Sequence, residues 1–349
     1  MSDSAAGGQA TVSGQQPLST GQAGGLLPAQ HWAAQGDDAD SALGPDTSSS
    51  TASVTSSILR YRTIQGRTYH SERGNAQYWG SNDDQQNEAL DILHHALTLT
   101  ADGKLYRAPI SKDIQKAVDI GTGTGIWAID FADEFPNTEV IGTDISPIQP
   151  SWVPPNLKFE IEDCTAEWTF PSDSIDFIHL RWMFGSIPDW TELFKQAYRC
   201  LKPGGYLESF EPGLMIESDD GTIKDDSALG QWGKFFVEGA KKLGRPFEVL
   251  TQGLQRKGME EAGLADIQEI NMKTPLGSWP EDPKSKEIGG YSQLVTEQDL
   301  EGFVLFVANT IGWSKEEVAV YVSHFRREVR NPKHHGYYRQ KVVIGRKPK

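Results

Sequence analysis

Cysteine is scarce in this sequence, with only Cys164 and Cys200 among 349 residues. They form no CxxC pair, and the chain contains no Asn-x-Ser/Thr glycosylation sequon. A disulfide framework, a structural zinc site and a secreted glycoprotein are therefore not indicated. We expect a protein of a reducing compartment, either cytoplasmic or nuclear.

Long hydrophobic runs and N-terminal positive charge are also lacking. No apolar stretch approaches the roughly 20 residues that a membrane-spanning helix needs. The first lysine or arginine is Arg60, so the basic region of a signal peptide, an Arg-rich transit peptide and an N-terminal nuclear signal are not predicted. We expect a soluble protein that does not contact membranes.

Positive charge is in deficit over the whole chain, with 33 basic against 48 acidic residues, a net charge of −15. Such a field repels nucleic-acid phosphates, so direct nucleic-acid binding is not expected. The exception is the C-terminal stretch from Arg326, which has nine basic residues and one acid, Glu328. This stretch is interpreted either as a solvated face or as a docking face for an acidic partner.

The N-terminus has few bulky hydrophobic residues, and hydrophobic residues of all sizes, alanine included, make up only 37% of the chain. Because burial there cannot offset the entropy lost on ordering, we predict a disordered tail over residues 1–57. A helical N-terminal cap is predicted over 58–115, and an α/β domain over 116–349. About 70 residues of mainly helical pattern are too many for a loop, so a helical insertion is predicted at about 274–338.

From residue 116 onward, short hydrophobic segments alternate with stretches of helical periodicity. This alternation is typical of a parallel sheet with helices on both faces. The predicted strands are 117–120, 139–144, 157–161, 175–180, 206–210, 267–272 and 341–345. Capping pairs predict helix starts at Asp189 with Glu192 and at Ser314 with Glu317. The fold class is therefore a doubly wound, Rossmann-like α/β fold.

The first predicted strand runs into a turn with glycine at every second position, namely Gly121, Gly123 and Gly125. Glycine permits positive φ and lets the backbone approach a ligand closely. A dinucleotide fingerprint would need its third glycine at position 126, which is Ile126, and a P-loop would need Gly-Lys-Ser/Thr. A nicotinamide oxidoreductase and a nucleoside triphosphatase are disfavoured, and an ordinary strand-to-helix turn is the structural alternative.

Three carboxylates accompany these strands. Asp119 lies in the first strand, Asp144 ends the second and is 23 residues after Gly121, and Asp163 follows the third. An offset of roughly 20 residues brings an acid to ribose hydroxyls in nucleotide-binding α/β units. An acid after the third strand can accept a hydrogen bond from an adenine amino group, unless it is only a surface acid. The combination favours a cationic, adenosine-bearing ligand without phosphate, namely S-adenosylmethionine.

Four longer segments carry a resemblance to a known family: GTGTGIWAIDFADEFP, VIGTDISPIQPSWVPPNLKFEIEDC, FIHLRWMFGSIPDW and LKPGGYLESFEPG. They resemble class I S-adenosylmethionine-dependent methyltransferases, and more narrowly the LaeA-like methyltransferases linked to fungal secondary metabolism. The similarity extends from about Gly66 to the C-terminus. It implies a seven-stranded sheet whose last strand, near 341–345, is antiparallel. For the LaeA regulators it also implies a nuclear location and velvet-type protein partners.

The resemblance also implies which residues hold S-adenosylmethionine. The glycine turn would form the cofactor loop, Asp144 would bind the ribose and Asp163 the adenine, with the adjacent residues completing the site. The predicted cofactor-binding residues are Asp119, Gly121, Thr122, Gly123, Gly125, Asp144, Ile145, Asp163 and Cys164.

Catalytic candidates lie at the end of the fourth predicted strand. Methyl transfer from a sulfonium depends mainly on positioning, so a general base is optional. If one is needed, His179 has a suitable ordinary pKa, although strand alternation also allows it to be paired inside the sheet. Arg181 follows and can bind a carboxylate of the substrate or of the cofactor.

The predicted acceptor pocket contains Tyr69, Trp182 and Glu211, each with packing or solvation as its alternative. Large flat side chains near the insertion also suit a polycyclic acceptor, although core packing is their ordinary role; they are Trp232, Trp279 and Trp313. The pairs His94-His95 and His334-His335 lack the spacing of metal ligands, so no metal is predicted.

These observations predict a methyltransferase linked to fungal secondary metabolism. Its partner would be a small-molecule methyl acceptor, or a regulatory protein if the chain acts as a LaeA-like regulator. The alternative is a regulatory scaffold of a velvet-type complex with little or no catalysis, which would work through protein contacts.

Overall fold

The computed structural model describes residues 24–34, 60–71 and 78–349. The helices in these ranges are α1 (Ala29–Ala33), α2 (Asp84–Thr100), α3 (Ile126–Glu134), α4 (Trp190–Cys200), α5 (Ala228–Leu243), α6 (Leu254–Glu261), α7 (Pro283–Thr310) and α8 (Lys315–Arg330). The strands are β1 (Arg62–Ile64), β2 (Arg67–Tyr69), β3 (Lys116–Ile120), β4 (Glu139–Asp144), β5 (Leu157–Ile161), β6 (Ile175–Arg181), β7 (Leu201–Glu217), β8 (Ala265–Pro275) and β9 (Tyr337–Arg346).

Strands β3 to β9 form one seven-stranded sheet in the order β5-β4-β3-β6-β7-β9-β8. The pairs among β3 to β7 are parallel, whereas β9 is antiparallel to both β7 and β8. The predicted seven-stranded sheet with an antiparallel last strand is confirmed. The chain proceeds outward from β3 to β5 and returns to β6 beside β3, so the strand order reverses at that point. A ligand crevice is expected outside the carboxyl ends of the strands there.

Local signals in the sequence place the helices. Asp189 caps α4 by accepting a hydrogen bond from the Glu192 backbone N–H at 3.0 Å. Ser314 and Glu317 form a reciprocal capping box at the start of α8. Both predicted helix starts are confirmed. In the central strand β3, residues 117–120 are buried and apolar apart from Asp119, as expected for a parallel strand covered on both faces.

The predicted insertion is confirmed as the helices α7 and α8 between β8 and β9. Helix α7 is kinked at Asp299, whose φ of −155° and ψ of 64° are not helical. Two further helices, α5 and α6, lie between β7 and β8. Strand β7 is longer than the predicted 206–210 because it pairs with β9 from Tyr206 to Glu217, with one register shift.

The N-terminal cap contains α2, as predicted, but it is not entirely helical. Strands β1 and β2 form an antiparallel hairpin over residues 62–69, so the predicted helical cap also contains strands. Arg67 of the hairpin donates hydrogen bonds to both carboxylate oxygens of Asp83, the N-cap of α2, and to both of Asp299 at the kink of α7. These buried ion pairs connect the cap to the insertion.

Part of the tail predicted to be disordered is ordered. Residues 24–34 contain helix α1, whose Trp32 is 1% exposed and packs edge-on against Tyr321 of α8 at 5.3 Å between ring centroids. The Trp32 carbonyl is 3.1 Å from Nε2 of His324. A short segment with one tryptophan, within an otherwise polar stretch, can therefore pack on the core formed by the rest of the chain. The remaining residues of the predicted tail, 1–23 and 35–57, lie outside the described ranges. Among the described residues, no helix is long and apolar enough to cross a membrane.

Candidate functional site

A cleft opens where β3, β4, β5 and β6 end, at the reversal of strand order. Its empty volume is about 1160 Å³, including space open to solvent. Its walls contain Gly121, Thr122 and Gly123 after β3, Asp144 and Ile145 at the end of β4, Asp163 and Cys164 after β5, and Arg181 and Trp182 at the end of β6. The topology thus brings residues from four separate segments to one place.

The glycine turn lies against the end of β4. The Gly123 N–H donates to Oδ2 of Asp144 at 2.8 Å, and the Thr122 N–H donates to the Thr143 carbonyl at 2.9 Å. Gly123 has a φ of +59°, and a Cβ built there would meet no atom within 4 Å. Its peptide therefore forms a wall of the cleft with open space in front of it.

The other two glycines are required by packing. A Cβ on Gly121 would collide with the Met183 side chain, and one on Gly125 would collide with the ring of Phe159. Gly121 also lines the cleft, but Gly125 does not. Gly125 instead has a φ of +84° and precedes α3. The structure therefore places Gly125 behind the turn that forms the wall.

Asp144 is half-buried where it lines the cleft at the end of β4. Its carboxylate accepts hydrogen bonds from the backbone N–H groups of Gly123 and of Ser146, the latter at 2.9 Å. Burial raises the pKa of Asp144 to about 6, although these backbone hydrogen bonds favour the ionised form. Asp163 lies at the next strand end, and its Oδ1 accepts from the backbone and hydroxyl groups of Thr165 at 2.9 and 2.6 Å.

Cys164 lines the cleft beside Asp163. Burial, with the neighbouring Asp163 and Asp144 carboxylates, raises the pKa of its thiol well above the ordinary value. The thiol is therefore neutral at physiological pH and acts as a small apolar wall residue.

A buried network connects β3 to β6. Asp119 accepts a hydrogen bond from the Thr122 hydroxyl at 2.7 Å, and its other oxygen is 2.7 Å from Nδ1 of His179. The His179 ring stacks on Trp127 of α3, with centroids 3.7 Å apart. Burial lowers the pKa of His179 although Asp119 opposes this shift. His179 is thus paired inside the sheet and also lines the cleft. Its position is compatible with both interpretations from the sequence, a paired histidine of the sheet and a residue of the site.

Arg181 is a half-buried cation at the end of β6. Its guanidinium is 3.0 Å from Nδ1 of His94 in α2, and Nε2 of His94 is 3.0 Å from Asp130. In the described part of the chain, no carboxylate lies within 4.0 Å of the Arg181 guanidinium. Burial lowers its pKa to about 10, so the side chain is charged at neutral pH. The cleft therefore contains a positive charge without a direct counter-ion.

Two predicted acceptor-pocket residues do not reach the cleft. Tyr69 is fully buried in the cap against Phe306, with ring centroids 5.5 Å apart. Glu211 is fully buried beneath the end of β6, where its carboxylate accepts from the backbone N–H groups of Met183 and Phe184. The predictions for Tyr69 and Glu211 are wrong, because local sequence could not distinguish a pocket wall from the layer behind it. Trp182 does line the cleft.

Several cleft residues were not predicted. They come from the cap and α2, and they are Tyr78, Ser81, Asn82, Leu90, Leu93, His94 and Leu97. The spacing of Leu90, Leu93 and Leu97 was the available signal, because positions three and four apart share one helix face. Periodicity shows that such a face is covered, but it does not show whether protein or a ligand covers it.

Residues 86–269 match a family model described as a methyltransferase domain. Methyltransferase pytC of Aspergillus terreus is 36% identical over 305 residues, which cover 87% of this chain and 93% of that protein. This chain belongs to the methyltransferase family. The secondary metabolism regulator LAE1 of Cochliobolus heterostrophus is 35% identical over 290 residues, which cover 81% of the methyltransferase and 94% of LAE1.

Among solved structures, phosphoethanolamine N-methyltransferase 2 of Haemonchus contortus has a TM-score of 0.44 and 22% identity to the methyltransferase. The match covers 75% of this chain and 53% of that one. The cofactor of the methyltransferase is S-adenosylmethionine. The donor set of the cleft suits this group, since it combines the Asp144 and Asp163 carboxylates, a bare glycine peptide and apolar walls. Among the described residues, no group of three or more His, Cys, Asp or Glu could hold a metal ion.

Proposed function

We propose that this protein transfers the methyl group of S-adenosylmethionine to a small-molecule acceptor of fungal secondary metabolism. The observation that carries the proposal is the convergence of the Gly121–Gly123 turn, Asp144 and Asp163 on one cleft. The relatives named above support the biological setting, because one is a methyltransferase and the other a regulator of secondary metabolism. For its location, we propose the cytoplasm or the nucleus.

Each cleft residue has a proposed task in holding the cofactor. Asp144 accepts hydrogen bonds from the ribose hydroxyls, and Asp163 accepts one from the adenine amino group. The Gly123 peptide allows close approach. Arg181 binds the carboxylate of the amino-acid part, because this guanidinium has no carboxylate within ion-pair distance among the described residues.

When bound, S-adenosylmethionine supplies a methyl group on a positively charged sulfur, and the carbon–sulfur bond breaks as the acceptor atom bonds to that carbon. The chain contributes orientation. The buried Asp119–His179 pair and the stacked Trp127 ring fix the strand ends that surround the reacting groups. His179 is held neutral by burial, and Nε2 has no partner in the described part of the chain, so it has the capacity to accept a proton from the acceptor.

A second candidate function is that of a regulator that modifies or binds a protein partner, as proposed for a LaeA-like, velvet-associated protein. The name of the relative LAE1 favours it. The basic C-terminal stretch gives it less support than its composition suggests. Several of its cations already form ion pairs within the chain: Arg330 with Glu297, Arg339 with Glu217, Lys341 with Glu269 and Lys347 with Asp173.

Two measurements test the proposal. Calorimetric titration of the purified chain with S-adenosylmethionine and with NAD should give binding of the former alone, and tight binding of NAD alone would contradict the proposal. Incubation with a methyl-labelled donor and a fungal metabolite extract then identifies the acceptor. Label in small molecules supports a tailoring enzyme, label in protein supports a regulator, and cofactor binding without any label supports a scaffold.

A further inference from the structure

A second cavity adjoins the cleft, with an empty volume of about 670 Å³ that includes space open to solvent. Its walls come from the cap, the exit of β6, β7 and the helices α5, α7 and α8. Leu93 and Trp182 line both this cavity and the cleft, so they form the junction between the two spaces. We call this second space the apolar cavity.

The walls of the apolar cavity are uncharged at all eighteen described positions that line it. Eight of these residues are aromatic: Trp79, Trp182, Phe184, Trp232, Phe236, Phe303, Phe325 and Tyr338. A charged molecule would lose its hydration here without gaining a counter-charge, whereas a flat apolar molecule would pack against ring faces and edges. The chemistry of the walls thus selects an uncharged, mainly aromatic ligand. Trp232 lines this cavity, whereas Trp279 and Trp313, the other two sequence candidates, do not.

The junction residue Trp182 has an unusual backbone conformation. Its φ is +59°, which is rare for a bulky residue and persists only where the surroundings impose it. The backbone N–H of Trp182 donates to the Phe210 carbonyl at 3.0 Å, and its ring contacts Phe184 and Tyr338 edge-on. Strain is therefore maintained where the cleft meets the apolar cavity.

The indole N–H of Trp182 is enclosed and has no acceptor among the described residues. A buried donor without a partner is costly, so such groups call for an explanation in a native structure. A bound molecule that brings an oxygen atom to the junction would satisfy this donor. The same oxygen would then lie on the side of the apolar cavity that faces the cleft.

We propose that the apolar cavity is the acceptor site, and that it takes an uncharged aromatic molecule whose oxygen accepts a hydrogen bond from the Trp182 indole. The assignment of this site as the acceptor site rests on the proposed methyl transfer in the cleft. Because reacting atoms must come within about 3–3.5 Å of each other, the atom of the bound molecule that takes the methyl group must lie near Leu93 and Trp182, which line both spaces.

The test uses the full chain and two probes that differ by one hydroxyl, 2-naphthol and naphthalene, with S-adenosylhomocysteine as an independent ligand of the cleft. Val295→Phe adds a ring to the wall of the apolar cavity. We expect it to weaken 2-naphthol binding at least about tenfold, while S-adenosylhomocysteine affinity stays within about twofold. The matched control is Leu294→Phe at the exposed neighbouring position of α7, which should change neither affinity.

Trp182→Phe keeps an aromatic ring but removes the indole N–H. We expect 2-naphthol affinity to fall about fivefold, to the level of naphthalene, whose own affinity should be unchanged. If Val295→Phe also loses S-adenosylhomocysteine binding, the substitution has disturbed the fold. The effect of Trp182→Phe on 2-naphthol affinity then tests the proposal by itself.

Failure of 2-naphthol to bind the wild-type chain, or binding that neither variant weakens, would overturn the proposal. If 2-naphthol binds as expected but S-adenosylhomocysteine does not bind, the proposed methyl transfer is contradicted. The proposed class of ligand for the apolar cavity is then unaffected.

Discussion

At the scale of single residues, the polar groups of the cleft are held by the chain itself before any ligand binds. Asp144 accepts from the Gly123 and Ser146 backbone, and Asp119 is fixed between Thr122 and His179. A carboxylate that is already oriented loses little side-chain entropy when a ligand hydroxyl reaches it. The site is therefore preorganised by short-range hydrogen bonds around the glycine turn.

Gly123→Val tests the glycine turn. The substitution places a β-branched side chain at a φ of +59° on the wall of the cleft, so we expect S-adenosylmethionine affinity to fall by at least about a hundredfold in calorimetry. Gly221→Val is the matched control, because Gly221 has a φ of +70° and equally open space but lies on an exposed turn. Unchanged affinity in Gly123→Val would contradict the assignment of the loop.

Arg181→Met tests whether the guanidinium binds the carboxylate of the cofactor. Removing a charge-assisted contact worth about 1.5–3 kcal/mol should weaken S-adenosylhomocysteine binding by roughly ten- to a hundredfold. Binding of 5′-methylthioadenosine, which lacks the amino-acid carboxylate, should change by less than about threefold. Equal losses for both ligands would show that Arg181 supports the cleft in general and does not recognise the carboxylate.

At the scale of elements, the parts that cover the cleft are connected to each other. The hairpin β1–β2, the start of α2 and the kink of α7 meet at Arg67, which donates hydrogen bonds to Asp83 and Asp299. The ion pairs between a buried cation and two carboxylates are costly to break, because each partner is left charged and poorly solvated. The cap and the insertion are thus expected to behave as one cover over both cavities.

Trp32→Ala tests the docking of α1 on α8. The substitution removes a fully buried indole that contacts Tyr321 and His324. We expect the free energy of unfolding in denaturant titration to fall by about 3 kcal/mol or more. Gln30→Ala on the exposed side of the same helix is the control and should change it by less than about 0.5 kcal/mol. Equal stability of the two variants would mean that α1 does not contribute to the folded core.

At the scale of the whole molecule, five acids among the described residues are paired with cations of the C-terminal stretch: Glu297, Glu217, Glu269, Asp266 and Asp173. The more consequential acids are buried. Burial raises the pKa of Glu208 to about 7 and that of Glu211 to about 8, although backbone N–H groups donate to both carboxylates. These two groups connect the stability of the sheet to pH.

We expect the free energy of unfolding to decrease by about 1–2 kcal/mol between pH 7 and pH 8.5. Both glutamates bind protons more tightly in the folded chain than at their ordinary value of 4.5, so their contribution is present at low pH and is lost as pH rises through about 8. Histidines with lowered pKa, such as His179, are neutral in the folded chain above pH 7 and only partly protonated in the unfolded chain, so they oppose this trend weakly. Denaturant titration at several pH values measures this change in the free energy of unfolding.

Glu211→Gln tests whether Glu211 causes most of this pH dependence of stability. Without an ionisable side chain at this position, the loss of stability over the same interval should shrink to less than half of the wild-type value. Glu281→Gln at an exposed position should leave the pH dependence unchanged. A wild-type free energy of unfolding that rises from pH 7 to pH 8.5 would contradict the raised pKa values.

The sequence by itself determined the chain order of the seven strands of the main sheet, the glycine turn and the acids at strand ends. These features follow from local patterns, since period-two and period-3.6 hydrophobicity, capping pairs and glycine spacing act over a few residues. Parallel connections then bring Gly121, Asp144 and Asp163 to one edge of the sheet without further information.

Only the tertiary structure decided which side chains form the walls of the cleft and which lie one layer behind. Tyr69 and Glu211 are buried away from the cleft, whereas His94 and Leu93 of α2 reach it, because long-range packing of the cap sets their distance from the sheet. The apolar cavity depends in the same way on residues of α5, α7 and α8 lining one space together with Trp182. Such contacts join residues far apart in sequence, and no local periodicity records them.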